Sequence, residues 1–145
     1  MSAAQFQLSC PVCKQPLMGD NKRLECDNRH SYDAAKQGYW NLLLANQKRS
    51  KDPGDNAEMV QARRSFLELG YYQQLADTVA QKIATLTSSS EKPRILDMVC
   101  GEGYFTQKMQ QQLSDSNPQA QLAGLDISKH AVKAACRQDK SILWL

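Results

Sequence analysis

Apolar and polar positions follow two different periods along this chain, and the changes of period mark its parts. Ile95 and Leu96 follow Pro93 and lead through Asp97-Met98-Val99 into Cys100-Gly101-Glu102-Gly103. A helical pattern then runs from Tyr104 to Leu113. A buried parallel strand, a tight turn and a helix N-terminus read this way when laid end to end. Gln121 to Asp126 predicts a second strand ending in an acid. Ser128 predicts a helix cap, Lys129 to Arg137 a further helix, and Ser141 to Leu145 the start of another strand. Strand, helix, strand, helix, strand at this spacing predicts an α/β unit with a parallel sheet.

Upstream the period is helical. Asp55 predicts an N-cap, with Glu58 completing a capping box. Met59, Val60, Phe66 and Leu67 recur at helical spacing, and Gly70 predicts the end. Tyr72, Leu75, Val79, Ile83 and Leu86 predict the apolar stripe of a second helix, and the polar stretch Thr87 to Lys92 a boundary. Earlier still, Leu17 to Lys22 predicts a hairpin turn, Arg23 to Cys26 its return strand, and Tyr39 to Leu44 a strand packed on the same module. Three parts are expected: a small module over 1–46, a basic linker with two helices over 47–92, and an α/β domain over 93–145.

Composition adds bounds. The chain has 145 residues, 41% hydrophobic and 23% charged, a globular balance. A net charge of +3 permits a nucleic-acid partner without arguing for one, since an electrostatic footprint needs a clustered basic face. Met1 to Cys10 lack a basic start and an apolar run, so no signal peptide is expected. No segment approaches the roughly 18 apolar residues of a membrane span. A cytoplasmic protein is the expectation.

The cysteines change the picture most. Cys10, Cys13 and Cys26 cluster near His30 in the spacing Cys-x2-Cys-x12-Cys-x3-His, while Cys100 and Cys136 lie far away. Three thiolates and one imidazole make a closed tetrahedral set for structural zinc, with no open position for catalysis. So small a module has too little core to fold alone, which couples metal binding to folding. Tyr39 and Trp40 have two readings, as core for this module or as stacking platforms for an unpaired base. Lys48, Arg49 and Lys51 form the densest positive run, and they suit either a phosphate backbone or plain solvent.

The glycine loop has a nucleoside reading. Asp126 stands 23 residues beyond Gly103 (126 minus 103), near the offset at which a second-strand acid binds ribose hydroxyls. Thr106 occupies the place of a third glycine, and Asp97 and Glu102 put two carboxylates beside the loop. Those acids repel a pyrophosphate and tolerate the ammonium and sulfonium of S-adenosylmethionine, which favours the methyl donor over NAD.

Together these residues resemble the bacterial large-subunit ribosomal RNA guanine-N(1) methyltransferases, class I (Rossmann-like) enzymes with an amino-terminal zinc module. The matching stretches are Cys10-Pro-Val-Cys13, Cys26 through His30, Gly38-Tyr39 with Asn41-Leu42-Leu43, Lys48 through Asp55, Ala57-Glu58-Met59, Gln61 through Arg64, Leu96-Asp97, Cys100 through Tyr104, and Gly124-Leu125-Asp126. The linker match is the most specific, because no general zinc or cofactor rule demands it. The resemblance implies zinc at Cys10, Cys13, Cys26 and His30, and S-adenosylmethionine around Asp97, Gly101, Glu102, Gly103, Tyr104 and Asp126. It makes Tyr72 a lid over the cofactor, beside the alternative of a core tyrosine. It also directs the zinc module and Lys48, Arg49 and Lys51 to a hairpin of 23S ribosomal RNA.

Two departures follow. The family has glycine where this chain has Val99; if that position needs positive φ, valine costs about 1–3 kcal/mol and weakens cofactor binding. The chain also ends about halfway through a fold of this kind, so it looks like an amino-terminal portion, and no catalytic residue can be assigned. The strand at Ile142 to Leu145 is expected to lack its covering layers. The rival functions are a non-catalytic zinc-stabilised RNA-binding fragment or inactive product, and an NAD-binding oxidoreductase. The oligomeric state is open, a homodimer included.

Overall fold

The computed structural model describes residues 6–145, so part of the Met1–Cys10 expectation lies outside the described residues. Two small sheets organise the chain. The first is antiparallel, in the order β1 (Met18–Gly19), β2 (Arg23–Glu25), β3 (Ser31–Asp33). The turn between β1 and β2 closes because the Asp20 carboxylate accepts the amides of Lys22 and Arg23. Leu24 sits inside while its two strand neighbours face solvent, the alternation of a one-sided sheet.

Two helices follow, α1 (Ala57–Glu68) and α2 (Gln73–Thr87). The cap of α1 is Asn56 rather than Asp55: the Asn56 side chain accepts the Met59 amide at 2.9 Å. Asp55 is drawn instead to Arg63, at 3.0 Å. Gly70 ends α1 with φ of 86°, as its position suggested. The buried face of α2 keeps Val79 and Ile83 of the expected stripe and not Tyr72, Leu75 or Leu86. Leu75 and Leu86 are exposed, whereas Ala76 and Ala80 are buried with Val79, Ile83 and Ala84 beside them. Small side chains let α2 lie close against α3, and a reading based on large apolar residues passes over them.

The second sheet is parallel, in the order β4 (Arg94–Met98), β5 (Gln121–Leu125), β6 (Leu143–Trp144), with α3 (Tyr104–Ser116) and α4 (Lys129–Gln138) as crossovers. Asp97 is paired with Gly124 and Met98 with Leu125. This is the expected α/β unit. Its core gathers Leu113, Leu122, Val132, Ala135 and Trp144. A Cβ on Gly124 would stand 2.3 Å from the Trp144 ring, so this strand position admits glycine alone without displacing the indole.

The last strand is not bare, contrary to expectation. Trp144 and Ile142 are buried, and Leu143 and Leu145 pack against the zinc module's core of Cys10, Leu17, Leu24, Cys26 and Trp40. The segment 39–44 that holds this contact is irregular, not a strand. Its Trp40 amide nevertheless donates to the Trp144 carbonyl at 2.9 Å, which occupies a backbone acceptor at the sheet edge. Trp40 is 3% exposed, so its ring serves the core and cannot offer a free face to a base. Among the described residues no helix is long and apolar enough to cross a membrane.

Candidate metal centre and donor loop

The amino-terminal site is built by two tight turns. In the first, the Lys14 amide donates to the Cys10 carbonyl at 2.8 Å; in the second, the Arg29 amide donates to the Cys26 carbonyl at 2.8 Å. Lys14 and Arg29 both take left-handed backbone, with φ of 65° and 63°. These turns bring the ligand atoms of Cys10, Cys13, Cys26 and His30 within 4.8 Å of one another. Cys26 Sγ lies 3.4 Å from His30 Nδ1, Cys10 Sγ 3.6 Å from the same nitrogen, and Cys13 Sγ 3.6 Å from Cys26 Sγ. Zinc bonds of about 2.3 Å to sulfur and about 2.0 Å to nitrogen set tetrahedral edges of about 3.5–3.8 Å. The donor set and its dimensions therefore fit structural zinc, with His30 offering Nδ1.

The surroundings favour thiolate at the first ligand. Burial alone would raise the Cys10 thiol, but the Tyr32 hydroxyl and the amides of Cys13 and Val12 outweigh it and bring it down to about 6. The Tyr32 hydroxyl lies 3.3 Å from Cys10 Sγ. Tyr32 carried no signal in the sequence, since a tyrosine two residues past a ligand has many other uses.

The second site is the turn after β4. Val99 has φ of 64°, Gly101 59° and Gly103 85°. The position that raised a question in the sequence is thus left-handed, and a β-branched residue stands there 83% exposed. The carbonyl of Leu125 accepts the amides of both Val99 and Cys100, at 2.7 and 3.0 Å, which ties the turn to the end of β5. Asp126 completes the tie: its Oδ2 accepts the Gly101 amide and its Oδ1 the Ser128 amide, each at 2.8 Å. Ser128 in turn caps α4 by accepting the Ala131 amide.

Asp97 lies near the end of β4, just before this turn, and accepts the Thr106 hydroxyl at 2.6 Å. Burial pushes its carboxyl up, and the nearby Asp126 adds to the effect against the Thr106 bond. Among the described residues neither Asp97 nor Asp126 has an ion-pair partner. Two neighbouring acids without a cation suit a positively charged ligand.

Glu102 is placed differently. It is 4% exposed, receives the Tyr104 amide at 3.1 Å, and lies 3.4 Å from Arg64 Nη1. Burial raises its carboxyl, and Arg64 opposes the rise. Its oxygens thus face α1 and the start of α3. Gly103 packs under Trp144, and Tyr104 stacks edge-on against Phe105 with ring centroids 5.6 Å apart. Tyr72 sits at the turn between α1 and α2, its ring 5.9 Å from that of Phe66.

The linker meets this loop system. Lys48 and Lys51 line a cleft of about 440 Å³ whose other walls include Leu43, Val99, Asp126 and Ile127. Arg49 is exposed and outside that lining. Asp52 fastens the linker to α4, with Oδ1 3.0 Å from Lys129 Nζ and Oδ2 2.7 Å from His130 Nε2. Asp52 and His130 lie 78 positions apart, and nothing in the sequence linked them.

Residues 8–51 match the family described as RlmA, N-terminal, and residues 72–145 match the family described as methyltransferase domain. The chain is 32% identical over 130 residues to the 23S rRNA (guanine(748)-N(1))-methyltransferase of Streptomyces fradiae, covering 90% of this chain and 44% of that protein. It is 34% identical over 142 residues to a putative 23S rRNA (guanine-N(1)-)-methyltransferase of Micromonospora griseorubida, covering 90% of this chain and 47% of that one. A third relative, the putative 23S rRNA (guanine-N(1)-)-methyltransferase YxjB of Bacillus subtilis, is 30% identical over 138 residues, 93% of this chain and 47% of its own length. The chain spans a little under half the length of these relatives.

Proposed function

The chain belongs to the methyltransferase-domain family, and from that premise we propose that it takes S-adenosylmethionine at the 97–103 loop and serves methylation of guanine N(1) in a hairpin of large-subunit ribosomal RNA. The observation that carries this reading is the unneutralised pair of acids, Asp97 and Asp126, beside a left-handed turn. The donor, when bound, supplies an electrophilic methyl group on a sulfonium. The protein's part is to hold and orient it. Asp126 is fixed by two amides and keeps lone pairs for the ribose hydroxyls. Asp97, held by Thr106, faces the cationic end. In this reading Gly101, Gly103 and Tyr104 shape the cradle, Glu102 braces it, and Tyr72 closes over it.

On the RNA side, Lys48, Arg49 and Lys51 take phosphates, and the zinc module of residues 1–46 presents them. The Asp52 latch to α4 places the lysines at the rim of the cleft that Asp126 also lines. Phosphate contacts there would bring the target strand beside the donor.

The test is transfer of labelled methyl from the donor to a 23S ribosomal RNA fragment, with reverse transcription as second readout. Methylation at guanine N(1) blocks Watson–Crick pairing and stops the transcriptase at one position. Transfer to another base or atom would sink the target assignment. A second reading, zinc-stabilised RNA binding without turnover, rests on the basic run of Lys48, Arg49 and Lys51 just past the four-ligand site. It predicts salt-dependent hairpin binding and no labelled product.

A further inference from the structure

The donor carries a carboxylate at its amino-acid end as well as two cationic centres. Asp97 and Asp126 suit the cations and the hydroxyls, and both repel that carboxylate. A positive group facing the loop from another element would offset that repulsion. Helix α1 brings two consecutive arginines there, and their surroundings differ.

Arg64 is committed. Its Nε lies 2.9 Å from Glu68 Oε1 and its Nη1 3.4 Å from the buried Glu102, and its side chain is mostly covered. Arg63 is not. Its Nη2 lies 3.0 Å from Asp55, its one carboxylate partner among the described residues, and the side chain is half exposed. Its other terminal nitrogen, Nη1, is 4.0 Å from the point where a Cβ on Gly101 would stand. The free side of the guanidinium thus overhangs the glycine whose amide is already anchored by Asp126.

We infer that Arg63 binds the carboxylate at the amino-acid end of the methyl donor, an assignment that rests on the donor reading of the 97–103 loop. The planar fork of arginine matches a carboxylate in two parallel hydrogen bonds, and the missing Cβ at Gly101 leaves the approach open. Asp55 holds the fork through Nη2 while Nη1 is turned toward Gly101, and Arg64 ties the same helix to Glu102. Arg64 is a positioning residue in this arrangement.

The experiment compares two ligands by calorimetry on the zinc-loaded full chain. S-adenosylhomocysteine has the amino-acid end, and 5′-methylthioadenosine lacks it. Arg63→Met should weaken S-adenosylhomocysteine tenfold or more and leave 5′-methylthioadenosine unchanged, with Arg63→Lys in between. Asp55→Asn removes the same ion pair while keeping the guanidinium and an oxygen acceptor beside it, and should weaken S-adenosylhomocysteine by less than Arg63→Met does. Equal losses for both ligands in Arg63→Met, or a matching loss in Asp55→Asn, would show a structural role only and overturn the inference. Asp126→Ala checks the underlying reading, since it should weaken both ligands. If it weakens both while Arg63→Met weakens neither, the donor site stands and the Arg63 assignment falls. The series is repeated with Val99→Gly to raise a weak starting affinity; if neither parent nor Val99→Gly binds either ligand at millimolar concentration, the donor reading fails and takes this inference with it.

Discussion

The zinc turns and the glycine loop share one backbone feature and differ in what holds it. Lys14 and Arg29 are left-handed at the knuckles, and Val99 is left-handed at the loop. The first two are unbranched residues inside turns whose thiols converge on one point, so the metal over-determines the backbone. Val99 is β-branched, points to solvent and is held by the hydrogen bond its amide donates to the Leu125 carbonyl. The metal centre is also local, with four ligands within 21 positions, whereas the loop depends on Asp126 and on α1. A local site can be rigid on its own; a distributed one is as good as the packing between its parts.

The largest effect should come from breaking the local site. Cys26→Ala, or zinc removal by a chelator, should unfold the module and expose Trp40, because the small core of Leu17, Leu24 and Trp40 includes two of the ligands. The indole emission should move to longer wavelength, and the amides near Leu143 and Leu145 should exchange faster as their cover leaves. An unchanged spectrum and melting temperature after complete metal removal would mean the four-ligand assignment is wrong.

A smaller effect, of opposite sign, is expected at the loop. Val99→Gly removes the strain of a branched residue at φ of 64° and loses little packing, since the side chain is exposed. The gain should be about 1 kcal/mol after the entropy cost of glycine. Lys14→Gly should gain less, because an unbranched residue tolerates this backbone better. Urea melts in excess zinc would check the ranking. A larger gain at Lys14 than at Val99 would mean that branching does not set the cost.

The same contrast explains what the sequence disclosed. The zinc site was readable because spacing alone brings its ligands together, and the strand–loop–helix because polarity changes period there. Val99 was readable as a glycine-type position in a loop with a known pattern. The Arg64–Glu102 contact and the Asp52 latch were not, since their partners are set by how α1 and the linker fold back. Nor was the cover over β6. A strand reading of Tyr39 to Leu44 missed that Trp40 could occupy one edge acceptor without forming a strand. Val79 and Ile83 on the buried face of α2 were readable, but Ala76 and Ala80 were missed because a count of large apolar residues passes over alanine.

The smallest effect concerns Asp97 and runs against pH in a direction opposite to the zinc site. Burial, with Asp126 nearby, raises its carboxyl in the folded chain. A carboxyl raised by folding resists ionisation, so its penalty appears as pH climbs past the unfolded value of about 3.9 and is complete above the folded one. Asp97→Asn should therefore raise the melting temperature slightly at neutral pH, with the amide oxygen still accepting from Thr106. The advantage should shrink below about pH 4, where the acid is protonated in both states. Acid acts the other way on the knuckles, where protonated ligands release the metal and stability falls. Melting both chains at matched zinc across this range separates the two. A variant that is less stable at neutral pH would show that the Asp97 charge serves the fold. One that is more stable but takes up S-adenosylhomocysteine poorly would place that charge in service of the ligand, at a small cost in stability.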